Sequence, residues 1–580
     1  MSNIEKINPF EYDKANSLRA EQIAEYFIDD HNFARFLPTG KNILLKGSRG
    51  TGKTMAMLYF SFKVQYEYST LKNKEIDFSK IGIHIPCKNP IFQKQEYLLP
   101  YNEKHKPYII AEHFLVLNIL FEICNSLKDI REIQSLEEKN VALLREKLQY
   151  LLDVKIPNIS NIFESLMLFA QRESEQTQKF LNEQEFESFY STSYSFNSLI
   201  IPLLSSIHNF PLFENSHFMF MFDDLQDLNI YQKKVINSWI AFRDNKQFSF
   251  KLATTERNPI LITSSGGTIL ENHDFISIDM IKKFQSKGQD FYDLAEKIIQ
   301  KRLDLFKINV TAKEFLPTSQ SFLDDLEKSK EIAREKAREK FPNPVGTQIL
   351  DYVSKYGRAE YFRSRKAQAN RPPYSGLETL IDISTGVIRQ LLIPIYWMYD
   401  KELSKHNNIS ENPITSIPVS TQTEIIMEES NKYWERLKNI YNEVEGCSKE
   451  DATRLNNFFD NLMVLFRERL LDESISEPRA ISFIITSQED FYMKDIDRLM
   501  DIAMRGNFLY SRLATSKVAG KQDVFYIPNR FLLPARLLDP HGQYARVSLK
   551  SKDIYATAIK NIKLPKENKT INDGQRTIDF

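Results

Sequence analysis

The residues best suited to chemistry are Gly47, Ser48, Arg49, Gly50, Thr51, Gly52, Lys53 and Thr54. They spell G-x-x-x-x-G-K-T, after the short apolar run Ile43-Leu44-Leu45 and before Met55-Ala56-Met57-Leu58-Tyr59-Phe60, which reads as a helix. Strand, loop and helix in that order are the setting in which this pattern cradles phosphate. The glycines let the backbone curl until its N–H groups converge on anionic oxygens. The start of the following helix adds a dipole that favours anions. A lysine in the place of Lys53 reaches the β- and γ-phosphates, and a hydroxyl in the place of Thr54 holds Mg2+. ATP and Mg2+ are the expected ligands. Arg49 counts with the loop, and a solvated guanidinium is preferred for it over one that faces phosphate.

A second element is Phe218-Met219-Phe220-Met221-Phe222, which follows His217 and ends in Asp223-Asp224. A run this apolar fits a central parallel strand buried on both faces. In such sheets ligands bind at the carboxyl ends of the strands. An acidic pair there puts one carboxylate on the Mg2+ shell and the other near an attacking water. Asp223 is expected on the metal and Asp224 on the water. Alone, an apolar run before two aspartates is a weak sign, because Asp also opens turns; downstream of a phosphate loop it gains weight. A further run, Phe248 to Ala253, ends at Thr254-Thr255. Thr255 is a candidate to touch the γ-phosphate or the water, with a plain strand-to-turn transition left open beside it.

These residues need a scaffold. Ile81-Gly82-Ile83-His84-Ile85-Pro86 reads as a buried strand stopped by its proline, with His84 expected as packed core rather than catalytic. Phe275 to Ile278 reads as a fifth strand and Leu228 to Arg243 as a helix. Strands alternating with helices around the loop give an α/β core with a parallel sheet. Residues 108–210 interrupt it with helical spacing over Ile110–Leu127, Leu136–Leu152 and Ile162–Phe169. The polar stretch Arg172 to Thr192 reads as a solvated helix or a mobile arm. Beyond the sheet, Asp290 to Leu305 reads as an amphipathic helix. Leu326 to Phe341 reads as a solvated helix with many opposite charges four residues apart. Arg358, Arg363, Arg365, Lys366 and Arg371 read as a basic loop. A small turn at Ser384-Thr385-Gly386 then leads into a helix that projects Arg389.

With 580 residues the chain has room for about three or four domains. Its 77 Lys+Arg balance 77 Asp+Glu, so any attraction to nucleic acid has to be local. Cys87, Cys124 and Cys447 are too far apart for a metal cluster or a disulfide framework, which suits a reducing compartment. The first residues lack the apolar core of a signal peptide, and no uncharged apolar run nears the ~18–20 residues of a membrane span. A cytoplasmic protein with no membrane contact is the expectation.

The order of these parts resembles an AAA+ ATPase of the initiator type, the origin-recognition and helicase-loading clade, and its bacterial stand-alone group in particular. The phosphate loop, the Asp223-Asp224 strand and the Thr254-Thr255 tip match that clade's nucleotide motifs. Ser384-Thr385-Gly386-Val387-Ile388-Arg389 resembles its second sensor, in which a lid arginine meets the γ-phosphate; Arg389 is implied as catalytic alongside Asp224 and Lys53. The resemblance implies a lead-in over 1–40, an ATPase core over 41–285 with its helical insertion at 108–210, a helical lid over 286–400, a helical connector over 401–470 and a winged-helix domain over 471–580. Ile481–Ile485, Met493–Met504 and the hairpin-like run Phe508–Ile527 are taken for the helices and wing, with Ser516 to Lys521 at the wing tip. Between Arg498 and Lys550 nine Lys/Arg stand against three Asp, and Arg498, Arg505, Lys517 and Lys521 are the candidates for phosphate contact with duplex DNA.

Two functions follow from the resemblance. The first is an ATP-driven switch on nucleic acid, implied to act in anti-phage defence as a homo-oligomer with a separate effector protein. The second is a signalling scaffold that assembles on ATP and recruits a protein without DNA; Asp-Asp in place of the loaders' usual Asp-Glu also resembles signalling ATPases of the NACHT class. Arg243, Arg358 and Arg363 are the candidates for an arginine acting on a neighbouring subunit's nucleotide.

Overall fold

The computed structural model describes residues 8–11, 15–30, 33–87, 106–134, 138–152, 155–156, 161–183, 193–241, 246–256, 259–280, 289–365, 372–405, 414–486, 490–515 and 522–565. The chain divides into two compact bodies, Asp13–Asp290 and Met1–Tyr12 with Phe291–Phe580.

In the first body, strands β1 (Ile43–Lys46), β2 (Lys80–Pro86), β3 (His217–Asp223), β4 (Phe248–Thr254) and β5 (Ile276–Asp279) form one sheet. Their order is β2-β3-β4-β1-β5 and every pairing is parallel. This is the α/β arrangement of an AAA+ P-loop fold. The sequence forces it through apolar runs with no polar face: from Phe218 to Asp223 every residue of β3 is buried, as is all of β4. Phe220, Phe248 and Phe250 share one face with Phe196 and Trp239. Lys251 is a charged exception to that apolar pattern. Wholly buried in β4, it donates to the carbonyls of Thr39 and Lys41 and holds the turn that leads into β1. Burial pushes its ammonium down to about 7.

The interruption between β2 and β3 is a layer of the fold. Helices Lys106–Leu127, Glu138–Leu152 and Ile162–Glu183, with a π turn at Phe196–Ile200 leading into Ile201–Ile207, share a core with β3 and β4. Pro107–Leu127 is long and apolar enough to cross a membrane, yet it is mostly buried against this sheet. The stretch from Arg172 is neither a loose arm nor fully solvated as far as Glu183, because Thr177 on that helix is buried. Its remainder, 184–192, lies outside the described residues.

The second body joins helices Gln289–Leu305, Gln320–Lys340, Gln348–Ser364, Leu377–Ile383, Ile388–Lys405, Val419–Lys438 and Lys449–Leu471 to a smaller sheet. Strands β6 (Ala480–Thr486), β7 (Leu509–Thr515), β8 (Gln522–Pro528) and β9 (Gln543–Lys550) lie in the order β7-β8-β6-β9. One core cluster runs through Phe322, Tyr361, Trp434, Phe459, Phe483 and Leu549. The segments expected as lid, connector and C-terminal domain thus contribute to one body.

Two expectations need correction here. Arg358 and Arg363 do not belong to a basic loop; they lie on the helix Gln348–Ser364, and 366–371 lies outside the described residues. Tyr356, Gly357, Ala359, Tyr361 and Phe362 are buried on that helix, and Gly357 marks its close approach to Lys330, where a Cβ would come within 2.9 Å of the lysine Cγ. Ile481–Ile485 is strand β6 rather than a helix, paired antiparallel to β8 and parallel to β9. Met493–Met504 does fall within a helix, Asp490–Arg505, and β7-β8 is an antiparallel hairpin. Among the described residues one helix lies between β6 and β7, where a helix-turn-helix needs two. The expected wing tip, Ser516 to Lys521, lies outside the described residues.

Candidate active site

The glycine-rich loop leaves β1 at Lys46 and is tied at once to β4, because Gly47 N–H donates to Thr254 O at 3.1 Å. Gly47 has no room for a side chain: a Cβ there would sit 2.7 Å from Thr51 Oγ1. Gly50 and Gly52 take φ of 89° and 96°, a region that L side chains avoid. Lys53, almost wholly buried, curls over the loop and donates to Gly47 O at 2.7 Å and Ser48 O at 3.0 Å. Thr51 Oγ1 donates to the same Ser48 carbonyl at 2.9 Å. Ser48 Oγ is buried, with no hydrogen-bond partner among the described residues. Thr54 is half-buried on the next helix and Arg49 is exposed.

The parallel sheet brings the acidic pair to the same edge. In register, Lys46 sits beside Thr254 and Phe222 beside Leu252. The ends of β1 and β3 are therefore two strand spacings apart across β4, about 10 Å. Asp223 closes β3 and is buried; its Oδ1 accepts from Asp224 N–H at 3.0 Å and its Oδ2 lies 3.4 Å from His84 Nε2. Asp224 turns the chain out of the strand at φ 58°, a left-handed conformation that Asp tolerates better than most residues. Its Oδ1 accepts from Gln226 Nε2 at 2.9 Å, and Gln226 Oε1 accepts from Thr255 N–H at 3.0 Å. Lys233 braces the same corner by donating to Gln226 O at 3.3 Å and pairing with Glu256 at 2.7 Å. Cys87 lies beneath it, its N–H donating to Asp223 O at 3.0 Å. Burial, and then the charges of Asp223, Asp224 and Asp227, push that thiol well above its ordinary range, so it stays protonated and inert.

Together these groups fit a nucleotide with its metal. A buried ammonium among backbone carbonyls and an unpartnered hydroxyl at Ser48 suit anionic phosphate oxygens. Among the described residues no group of three or more His, Cys, Asp or Glu could cage an ion by itself. Mg2+ is commonly held by one or two carboxylates, with phosphates and water completing its shell. Thr54 and Asp223 are the protein groups that would hold it.

Sequence reasoning missed two residues of this site. His84 is less a core residue than a neighbour of Asp223, with its side chain 14% exposed. Ile81, Ile83 and Ile85 take one face of β2, so alternation sends Gly82, His84 and Pro86 to the other, where Gly82 meets Phe60 O at the end of the helix that follows the loop. That alternation was the available signal. Gln226 carried none, because its part depends on how the chain turns after β3.

Several arginines singled out by position are committed elsewhere. Arg358 donates to Asp539 through Nε at 3.0 Å and Nη2 at 2.9 Å. Arg363 pairs with Glu360 at 2.7 Å and donates to Leu470 O and Asp472 O. Neither is available as a finger toward another subunit, and Arg243 lies outside the described residues. Arg498 pairs with Asp451 at 2.7 Å and caps Gly446 O, while Arg505 pairs with Asp501 at 2.8 Å and caps Glu445 O. Arg530 and Arg536 pair with Asp382 and Asp460. Much of the local positive excess is thus neutralised within the chain. Arg389 stands exposed in the first turn of Ile388–Lys405, after a turn in which Thr385 and Gly386 take φ of 54° and 80°.

A family model described as ORC-CDC6-like matches residues 8–345 and 343–549 of the chain. No curated protein matches it.

Proposed function

Because the chain belongs to the ORC-CDC6-like family of AAA+ ATPases, we propose that it binds Mg-ATP in the loop Gly47–Thr54 and hydrolyses it, as a switch that engages nucleic acid. The observation that carries this reading is the corner itself: phosphate loop, Asp223, Asp224 and the β4 tip at one edge of a parallel sheet, linked by hydrogen bonds. Lys53 holds the β- and γ-phosphates and leaves its loop carbonyls to do so. Thr54 and Asp223 would hold Mg2+, which would supply charge neutralisation at those phosphates. Asp224 accepts a hydrogen bond from the attacking water and orients it in line with the γ-phosphorus. Thr255 at the β4 tip feels whether the γ-phosphate is present. Arg389 serves as the lid arginine that the family resemblance implies.

Duplex DNA is the proposed nucleic acid, engaged through the β6–β9 domain and its hairpin. Self-assembly and a separate effector protein complete the proposed anti-phage role in a cytoplasmic setting. The internal pairing of Arg498 and Arg505 favours the second reading, a scaffold that assembles on ATP and recruits a protein partner. Steady-state hydrolysis with and without duplex DNA, at low and moderate salt, separates the two. Stimulation that fades with salt and is lost in Asp224→Asn supports the nucleic-acid switch. Slow hydrolysis indifferent to DNA supports the scaffold.

A further inference from the structure

Asp224 and Thr255 end different strands, and one side chain spans them. Gln226 Nε2 donates to Asp224 Oδ1 at 2.9 Å while Gln226 Oε1 accepts from Thr255 N–H at 3.0 Å. The glutamine is half-buried and its own backbone is pinned, with Gln226 O taking a hydrogen bond from Lys233. Lys233 in turn pairs with Glu256, the residue after Thr255. Main chain and side chain of Gln226 are therefore both anchored to the segment that leaves β4. A primary amide can donate to a carboxylate through its nitrogen and accept from a backbone N–H through its oxygen at once. A carboxylate in its place could only accept, and an apolar residue could do neither.

We infer that Gln226 is a positioning residue: it sets the Asp224 carboxylate against the β4 tip, so that the water-orienting group and the strand that meets the γ-phosphate keep one fixed relation. The inference rests on the proposed role of Asp224. Asp224 leaves the strand in a left-handed conformation, and rotation about its side-chain bonds still decides where its carboxylate points. The amide of Gln226 is one bond that constrains it. In a reaction that depends on alignment, a misplacement of about 1 Å can lower the rate about 100-fold.

The test uses the full-length chain with Mg-ATP and measures kcat, KM, binding of a fluorescent ATP analogue and thermal stability. Gln226→Leu keeps an apolar side chain of similar bulk but removes donor and acceptor. Gln226→Glu keeps the acceptor for Thr255 N–H and turns the Asp224 arm into a repulsion. Both variants are expected to lose about 10- to 100-fold in kcat. KM, analogue affinity and melting temperature should stay within about twofold or a few degrees of the parent. Three results would overturn the inference. One is a kcat within twofold of the parent in Gln226→Leu. Another is a gain in kcat, which would make the clasp a brake. The third is a kcat loss matched by equal losses of affinity and stability, which would make Gln226 a structural turn residue. Asp224→Asn runs in parallel. Should it hydrolyse ATP normally, the role given to Asp224 fails, and that outcome is distinct from a Gln226 failure beside an inactive Asp224→Asn.

Discussion

His84 Nε2 lies 3.4 Å from Asp223 Oδ2, so β2 buttresses the carboxylate that ends β3. Outer contacts of this kind orient a ligand before the metal arrives, and their loss typically costs about 10- to 100-fold in metal affinity or activity. His84→Ala is therefore expected to raise the Mg2+ concentration for half-maximal hydrolysis about 10-fold. Nucleotide binding measured in EDTA should not change. A magnesium titration of hydrolysis, run beside analogue binding without metal, checks both halves. An unchanged magnesium requirement would mean that His84 only fills space.

The two charged ends of the site should separate binding from chemistry. Lys53 touches the loop where phosphate would sit, and Asp224 lies beyond it at the head of the next turn. Lys53→Ala should abolish measurable nucleotide binding and every ATP-dependent property. Asp224→Asn should bind ATP normally while hydrolysis falls by about 100-fold or more. Fluorescent-analogue titration and phosphate release measure the pair. Hydrolysis surviving in Lys53→Ala would remove the loop from the mechanism altogether.

How much of this was legible follows from the range over which each signal acts. The loop and the acidic strand are local patterns, and the structure places Gly47–Thr54, Asp223 and Thr255 along one sheet edge. His84 was visible only as a lone histidine, since its meaning depends on which strand lies beside β2. Gln226 has no pattern at all, because its role arises from a left-handed turn at Asp224. Arg358 and Arg363 misled for the same reason. Their clustering suggested a basic loop, but beside the local Arg363–Glu360 pair their partners Asp539, Leu470 and Asp472 lie more than a hundred residues away. Ile481–Ile485 is too short for its apolar run to separate helix from strand until β8 and β9 pair with it.

Asp539 is a heavily committed carboxylate of the second body. It is buried, bonded to Arg358 and 3.5 Å from Arg479. Burial pushes its carboxyl up, but the Arg358 charge and hydrogen bonds, with His541 and Arg479, bring it well below the usual carboxylate range. Asp539→Asn leaves two guanidinium groups without their counter-charge. It is expected to destabilise the second body by about 3–5 kcal/mol. For the intact protein the sign is that of a depressed acid: the stabilisation is full above about pH 4 and is lost as pH falls through the lowered pKa. Urea titration at neutral pH measures the mutant's loss. A change below about 1 kcal/mol would show that the pair does not govern stability.

His113 gives the first body an acid sensitivity in a range where carboxylates are still ionised. It is buried in Lys106–Leu127, its Nδ1 accepts from Tyr194 N–H at 2.9 Å and its Nε2 lies 2.8 Å from Thr177 Oγ1. With Nδ1 an acceptor, Nε2 carries the proton and donates to Thr177, whose hydroxyl donates on to Glu173 O. The neutral ring is thus fully used, and desolvation lowers its pKa from 6.5 to about 4. The unfolded chain takes up a proton near pH 6.5 while the folded chain resists it until about pH 4. Stability is therefore full above the unfolded value and falls as pH drops between the two. Lowering the pH from about 6.5 to about 5 should remove about 2 kcal/mol through this residue. Trp239 is the one tryptophan in the first body, so replacing Trp397 and Trp434 with Phe lets its fluorescence follow that body's urea transition. In that background His113→Gln should flatten the slope, although it lowers stability at neutral pH. An equally steep slope in the glutamine variant would assign the sensitivity to other groups.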